Sequence, residues 1–252
     1  MKVMGNPADP PIPAEADARP ALADVPSLAR LLVRPMLAPD AADDALHAGL
    51  QAALRAGFGA VCVRPSDVDA AVRLLSGRGV TVSSVVGFPH GGSTTATKLY
   101  ETRDLLRRGA REIELVINLG KLRSRQFQYV EAEILQVAQA CHESQAIMKV
   151  VLENSVLTED LKVIACKIAK RAEADIVKTA TGFARPSANW EADLMLLKRV
   201  LKDVCEVEAG ECVDSLDAAL RAYSLGADRI ATPHAEALLA AWAERLTPPP
   251  VS

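Results

Sequence analysis

Two lysines lie within short segments rich in β-branched residues, which the sequence predicts to be strands. Lys149 lies in residues 147–153 and Lys178 in residues 175–179, each next to a valine. A lysine held among apolar side chains and near a second ammonium group has a lowered pKa, and its neutral amine can attack a carbonyl carbon. These residues therefore indicate Schiff-base chemistry if the fold brings the two lysines together.

Carboxylates accompany the lysines on the predicted strands. A period of two puts Glu153 on the same strand face as Lys149, and it aligns Glu112 with Glu114 in residues 112–118. Carboxylates beside a Schiff base can move the protons of the carbinolamine and enamine steps. An internal network of compensated ion pairs without any chemistry would show the same pattern, so periodicity leaves both interpretations open.

The elements that must position these groups alternate along the chain. Strands are predicted over residues 31–37, 60–64, 81–87, 112–118, 147–153, 175–179, 205–209 and 229–232. Helices are predicted near residues 41–56, 66–76, 95–108, 124–143, 158–171, 188–202, 214–224 and 235–245. Eight alternations favour a single-domain α/β fold, the (β/α)8 or TIM barrel, over a doubly wound sheet. Such a barrel places its functional site at the carboxyl ends of the strands.

Proline is concentrated at the two ends of the chain. Of the 15 prolines, eight lie in the first 39 residues and three form the run at 248–250. We therefore predict a disordered or loosely packed Pro-rich arm over residues 1–26, a barrel domain over 27–246 and a Pro-rich tail over 247–252.

Composition excludes several classes of protein. The chain has 29 Lys and Arg against 32 Asp and Glu, with four Phe, two Trp and three Tyr, which argues against nucleic-acid and membrane-surface partners. No apolar run reaches about 18 residues, so no membrane span is predicted. The five cysteines show no C-x-x-C spacing and suit reduced thiols in a cytoplasmic protein.

Four segments, in chain order, resemble deoxyribose-phosphate aldolases, the DeoC-type class I aldolases. They are Val85–Gly91 at the end of the third strand, Glu112–Asn118 on the fourth, Lys149–Glu153 on the fifth, and Val177–Phe183, which resembles the segment that carries the Schiff-base lysine. The resemblance spans about residues 30–245. It implies a lyase that cleaves 2-deoxyribose 5-phosphate into glyceraldehyde 3-phosphate and acetaldehyde, acting on a small carbonyl or sugar substrate without cofactor or metal.

The resemblance assigns roles to individual residues. Lys178 is the Schiff-base nucleophile, and Glu114 stands where the family keeps an aspartate that relays protons. Lys149 is a cationic neighbour of the nucleophile. Substrate contacts are predicted for Cys62, Glu153, Thr181, Gly210, Arg34 and His234. Barrels of this family are often dimers, so a homodimer is the assembly that the resemblance implies.

Position 208 departs from the family pattern. The family has a second lysine there, which helps to depress the pKa of the nucleophile, whereas this chain has Glu208. A carboxylate beside Lys178 favours the ammonium form, so we predict a less nucleophilic amine at neutral pH. Glu208 is alternatively the acid and base of a different reaction on a Schiff base.

The expected phosphate site departs as well. Glu211 and Cys212 replace paired glycines whose backbone amides approach the phosphate, and Pro233 removes a backbone donor after the eighth strand. A carboxylate about 4 Å from a phosphate costs several kcal/mol. We therefore expect an altered or unphosphorylated substrate unless Arg34, Arg185 or His234 supplies compensating charge.

The first strand shows a further departure, and together these differences leave alternative functions open. Val33–Pro35 replaces an Asp-x-Thr sequence that contacts substrate hydroxyls in the family. A catalytically impaired paralogue acting as a binding or regulatory protein would show such losses. A metal site drawing on Glu206, Glu208, Cys212 and His234 is a third interpretation, but it mixes hard and soft ligands without standard spacing, so no metal is expected.

Overall fold

The computed structural model describes residues 19, 21–210 and 213–247. Within them, eight parallel strands close into a barrel in sequence order, with β8 pairing with β1. The strands are β1 Leu32–Met36, β2 Ala60–Val63, β3 Thr81–Val86, β4 Glu112–Val116, β5 Ile147–Val151, β6 Ile176–Lys178, β7 Glu206–Ala209 and β8 Arg229–Ala231. The predicted (β/α)8 barrel is confirmed, and the doubly wound alternative is wrong because the sheet is closed.

Helices surround the barrel. They are α1 Val25–Leu31, α2 Asp43–Ala56, α3 Val68–Leu75, α4 Thr95–Arg107, α5 Leu119–Arg123, α6 Phe127–Glu143, α7 Glu159–Arg171, α8 Trp190–Leu201, α9 Leu216–Ser224 and α10 Ala235–Leu246, with short 3₁₀ helices at Pro65–Asp67 and Asn154–Val156. None of the described helices combines the length and the apolar character needed to span a bilayer.

Hydrophobic periodicity does not predict two of these helices, α1 and α5. Helix α1 begins inside the segment predicted to be a Pro-rich arm, where the Asp24 carboxylate accepts a hydrogen bond from Ser27 N at 2.8 Å and caps it. Helix α5 has only five residues and is capped by Asn118. The rest of the predicted arm before residue 19 and the tail from residue 248 lie outside the described residues.

The predicted helix ends are partly corrected. Gly57 ends α2 in the left-handed conformation, with φ of 69°, as a glycine stop predicts. Helix α9 starts later than expected, because the hydroxyl of Ser215, and not Asp214, accepts from Ala218 N at 3.3 Å. The start predicted at Ser66 falls instead in the 3₁₀ helix that precedes α3.

The two faces of each strand meet different surroundings. On β4 and β5, Ile113, Leu115 and Val150 belong to the apolar layer between barrel and helices. The alternate residues, Glu114 and Lys149, form ion pairs with each other inside the barrel. The period of two therefore places the charged groups in the barrel interior, as expected.

Candidate active site

A cavity of about 590 Å³ opens at the carboxyl ends of the strands. Among the residues that line it are five of the predicted site residues, namely Lys178, Thr181, Gly210, Arg34 and His234. The loops after β6, β7 and β8 contribute Thr181, Asp214 and His234 to the polar lining. The cavity therefore joins the candidate nucleophile to the mouth of the barrel, where this fold carries its sites.

Lys178 is the last residue of β6, and only 3% of it is exposed. Its Nζ lies 2.7 Å from Glu114 Oε2 and 3.1 Å from Glu208 Oε1. Burial favours the neutral amine, but the negative charges of Glu114 and Glu208 outweigh it and hold the pKa of Lys178 above its ordinary value. These contacts therefore favour the ammonium form of this candidate nucleophile.

Lys149 lies deeper in the interior and is fully buried. Its Nζ lies 2.7 Å from both Glu112 Oε2 and Glu208 Oε2, and 3.5 Å from Glu114 Oε1. Burial opposes its charge, yet the three carboxylates raise its pKa well above the ordinary value. Two neighbouring lysines alone would lower each other's pKa. Here the pKa values of both lysines are raised instead, because Glu114 and Glu208 lie between the two ammonium groups.

Glu114 is the most highly connected group of the interior. Burial opposes its ionisation, but Lys178 and Lys149 outweigh burial and lower its pKa to about 2. The Ser83 hydroxyl donates to its Oε1 at 3.2 Å, and the Cys62 thiol also hydrogen-bonds to it. Burial and the Glu114 charge raise the pKa of Cys62. Cys62 therefore lies beside the candidate proton relay as a neutral thiol.

Arg229 closes the network at the amino ends of the strands, and the sequence analysis did not identify it. Its Nη1 lies 2.6 Å from Glu112 Oε1 and its Nε 2.9 Å from Glu206 Oε2. Its position opposite Glu208 in the β7–β8 register follows from strand pairing, which no local pattern in the sequence reveals.

Charge is balanced across the interior network in the described residues. Its cations are Arg229, Lys149 and Lys178, and its buried carboxylates are Glu112, Glu114 and Glu208. Loss of the Lys178 proton to solvent would leave a net negative interior. Transfer to a carboxylate keeps the balance, and Glu114 lies within hydrogen-bond distance to accept it.

Glu153, Thr181 and Gly210 fix the loops around Lys178. Glu153 Oε2 accepts hydrogen bonds from the Thr181 backbone N–H, at 3.1 Å, and from its hydroxyl. Gly210 N donates to Thr179 Oγ1 at 2.9 Å. A Cβ at position 210 would lie 2.8 Å from Ala180 O and 3.1 Å from Lys178 Cε, so the backbone approaches the lysine at a distance that only glycine permits.

Arg34 and His234 lie at the rim of the cavity. The Arg34 guanidinium forms an ion pair with Glu236, in the first turn of α10, and its buried Nε has no hydrogen-bond partner among the described residues. His234 N donates to Thr232 Oγ1 at 3.1 Å. The ion pair occupies the helix terminus that the resemblance assigns to phosphate. Glu211 and Cys212, expected to replace the phosphate-binding glycines, lie outside the described residues.

The residues of the metal interpretation are engaged elsewhere. Glu206 pairs with Arg229, and Glu208 pairs with both lysines. No three His, Cys, Asp or Glu side chains within the described ranges are grouped so that they could hold a metal ion. Cys212 lies outside those ranges.

Comparisons with known proteins agree with this architecture. Residues 34–211 match the model of the DeoC/LacD family of aldolases. The deoxyribose-phosphate aldolase of Clostridium perfringens is 40% identical over 173 residues, which cover 69% of this chain and 76% of that protein. The enzyme of the same name from Thermococcus gammatolerans is 41% identical over 178 residues, covering 70% and 79%.

A solved structure gives the same result. The deoxyribose phosphate aldolase from Aeropyrum pernix superposes with a TM-score of 0.82 at 26% identity, over 89% of this chain and 94% of that one. The resemblance identified in the sequence is confirmed. The chain therefore belongs to the DeoC/LacD family of aldolases.

Proposed function

We propose that this protein is a class I aldolase that makes and breaks a carbon–carbon bond through a Schiff base on Lys178. The observation that carries the proposal is the position of Lys178, which lines the cavity and whose Nζ has carboxylate oxygens 2.7 and 3.1 Å away. An amine beside proton-transfer groups is what Schiff-base catalysis requires.

The first step activates the amine. Lys178 passes a proton to Glu114 across their 2.7 Å hydrogen bond, and the neutral amine then attacks the substrate carbonyl carbon. Protonated Glu114 returns the proton to the carbinolamine hydroxyl, which leaves as water. The product is a cationic iminium, so the charge balance of the interior is restored.

The second step breaks the carbon–carbon bond. Glu208, whose Oε1 faces the same nitrogen, accepts the proton of the substrate's β-hydroxyl. The bond electrons move into the iminium and form an enamine, which is protonated on carbon and hydrolysed. Lys149 acts as a positioning residue, because it binds Glu208 at 2.7 Å and Glu114 at 3.5 Å.

The proposed substrate is a small carbonyl compound or deoxysugar that does not need a phosphate. The relatives carry the name deoxyribose-phosphate aldolase. In this chain, Glu236 places a carboxylate in the first turn of α10 and already neutralises Arg34. A carboxylate there disfavours an anionic ligand at a helix terminus that would otherwise attract one.

The alternative of a catalytically impaired binding protein is not favoured. Loss of catalysis removes the selection that keeps a buried amine open to a cavity, whereas Lys178 keeps both the cavity and its proton-transfer partners. The replacement at position 208 exchanges one ionisable group for another and leaves a carboxylate in contact with the nucleophile.

Borohydride reduction in the presence of acetaldehyde tests the proposal. We expect an N-ethyl group on Lys178, located by peptide mass spectrometry, and its loss in Lys178→Ala. The matched control is Lys167→Met on the exposed face of α7, which keeps the adduct. Absence of an adduct with acetaldehyde and with a panel of small ketones would overturn the proposal.

We further propose a cytoplasmic homodimer. Its barrel domain is the one predicted over residues 27–246, extended at its start to include α1 from Val25, with a Pro-rich arm before it and a short tail after it. The described cysteines Cys62, Cys141, Cys166 and Cys205 are free and buried, which suits a reducing compartment. The Aeropyrum pernix relative is described as tetrameric. Light scattering is expected to give the mass of two chains, and limited proteolysis to trim the ends; a monomeric mass would contradict the dimer.

A further inference from the structure

We infer that the acceptor in the aldol reaction is an aldehyde with an uncharged, apolar substituent. This inference rests on the proposed function and adds the chemical class of the second substrate. In the synthetic direction, the enamine carbon on Lys178 attacks the aldehyde carbon, and the aldehyde oxygen takes up a proton. Hydrolysis of the iminium then restores the amine and releases a 3-hydroxyaldehyde.

The barrel interior is divided into a charged side and an apolar side. The ion-pair network described above occupies the β4–β8 side. Residues on or next to β1, β2, β3 and β8 form a second buried cluster, which is apolar. Its members are Val33, Leu37, Ala60, Cys62, Val85 and Ala231, with Phe88 packed against it. A substrate bound to Lys178 therefore has carboxylates on one side and hydrocarbon on the other.

The first strand supplies apolar groups where the family resemblance leads one to expect polar ones. Val33 and Pro35 stand at the ends of the replaced Asp-x-Thr sequence, and neither side chain can hydrogen-bond a substrate hydroxyl. Arg34 lies between them on the other strand face, where its guanidinium pairs with Glu236. A hydroxyl brought against Val33 or Pro35 would lose its water without gaining a partner from either side chain.

The apolar surface continues from the interior to the rim. The cavity wall includes Leu37, Leu46, Phe183, Val213, Ala231 and Pro233. Phe183 is 51% exposed, and its ring packs edge-to-face on Phe88 with centroids 5.0 Å apart. An aromatic ring left half-exposed beside a reactive lysine offers a surface that an apolar substituent would cover.

The charges around the cavity do not favour an anion. Arg34 is paired with Glu236, and Arg64 Nε lies 2.6 Å from Asp67 Oδ2. Lys178 is paired with carboxylates, and Asp214 adds a further negative group to the lining. Each lysine and arginine in the described lining thus already holds a carboxylate, which offsets the positive charge that would attract a phosphate or carboxylate substituent.

The test is a pair of aldehydes that differ only in polarity. In 2-methylbutanal, methyl groups replace the two hydroxyls of glyceraldehyde. With acetaldehyde as donor, we expect kcat/KM for 2-methylbutanal to exceed that for glyceraldehyde by at least about tenfold, since each buried CH2-sized group contributes about fourfold. Glyceraldehyde 3-phosphate is expected to be no better than glyceraldehyde. Preference for either sugar aldehyde would overturn the inference.

Two variants locate the preference in the cavity. Leu37→Asn, nearly isosteric, and Pro35→Thr each place a polar group on the apolar wall, and each is expected to lower the ratio of the two kcat/KM values at least threefold. Leu246→Asn, at an exposed position near the end of α10, is the control that keeps the ratio. A ratio unchanged in both cavity variants would contradict the inference.

Trapping of acetaldehyde by borohydride in the same preparations separates this inference from the proposed function. An adduct on Lys178 together with a preference for glyceraldehyde refutes the inference of an apolar acceptor but still supports a Schiff base on Lys178. Absence of the adduct refutes both.

Discussion

Glu208 and Lys178 face each other in register on adjacent strands, with Glu208 Oε1 3.1 Å from the lysine Nζ. The carboxylate raises the pKa of the amine and so reduces the fraction that can attack a carbonyl. In the proposed reaction, the same carboxylate stabilises the cationic iminium that forms once the amine has attacked. We therefore expect Glu208 to slow the entry into that reaction and to favour its first intermediate.

Removal of Lys149 should destabilise the fold strongly. In Lys149→Met, Glu112, Glu114 and Glu208 lose a shared cation in a fully buried setting. Breaking a buried ion pair from one side costs roughly 3–5 kcal/mol, and urea denaturation measures that loss in the free energy of unfolding. Lys167→Met, an exposed control on α7, is expected to stay within about 0.5 kcal/mol. Similar stabilities for the two variants would refute the structural importance of the network.

Acid should weaken the protein through Glu114. Its pKa is lowered to about 2 in the folded state, below the unfolded value of about 4.3. Its contribution is therefore nearly complete above about pH 5 and declines as the pH falls toward 2. We expect the free energy of unfolding to drop faster between pH 5 and pH 3 in the parent protein than in Glu114→Gln. Exposed Glu244→Gln should follow the parent; equal slopes in the parent and Glu114→Gln would contradict this assignment.

An added methyl group at position 210 should disturb catalysis more than stability. In Gly210→Ala the new Cβ would meet Ala180 O at 2.8 Å and Lys178 Cε at 3.1 Å, which forces the lysine away from its carboxylates. We expect kcat for aldol cleavage to fall at least about tenfold, with about 1–3 kcal/mol lost in stability. Gly92→Ala meets no atom within 4 Å and serves as the control. Unchanged kcat in Gly210→Ala would show that Lys178 tolerates displacement.

Local sequence patterns predict the strands, most of the helices and the inward-facing positions of the strands. The alternation of Glu112 and Glu114 with buried Ile113 and Leu115 marks the inward face of β4, and the strand-helix repeat indicates the barrel. Helix α1 is missed because Pro26 and the preceding Pro-rich segment obscure a helix that depends on the Asp24 cap.

Local sequence patterns do not predict which residues contact each other across the barrel. Strand register places Lys178 opposite Glu208. Arg34 pairs with Glu236, which lies more than 200 residues away in the sequence. The first contact helps to raise the pKa of the Lys178 amine, as expected from a carboxylate at position 208. The second contact occupies the expected phosphate site. The residues that carry the family resemblance are thus visible in single segments, whereas the contacts proposed to modify its chemistry join residues distant in sequence.

The pH dependence of iminium formation tests most directly whether Glu208 controls the reactivity of Lys178. The rate of borohydride trapping of acetaldehyde on Lys178 is measured across the alkaline range in the parent, in Glu208→Gln and in the control Glu206→Gln, whose carboxylate pairs with Arg229 instead. If Glu208 acts as an acid or base, its replacement changes the limiting trapping rate at high pH. Its negative charge, by contrast, sets the pH at the midpoint of the rise in trapping rate. We predict that the midpoint falls by at least about one pH unit in Glu208→Gln, because a charge at this distance contributes several kcal/mol, and that it stays unchanged in Glu206→Gln. Identical midpoints in the parent and Glu208→Gln, or an adduct on a lysine other than Lys178, would contradict the account.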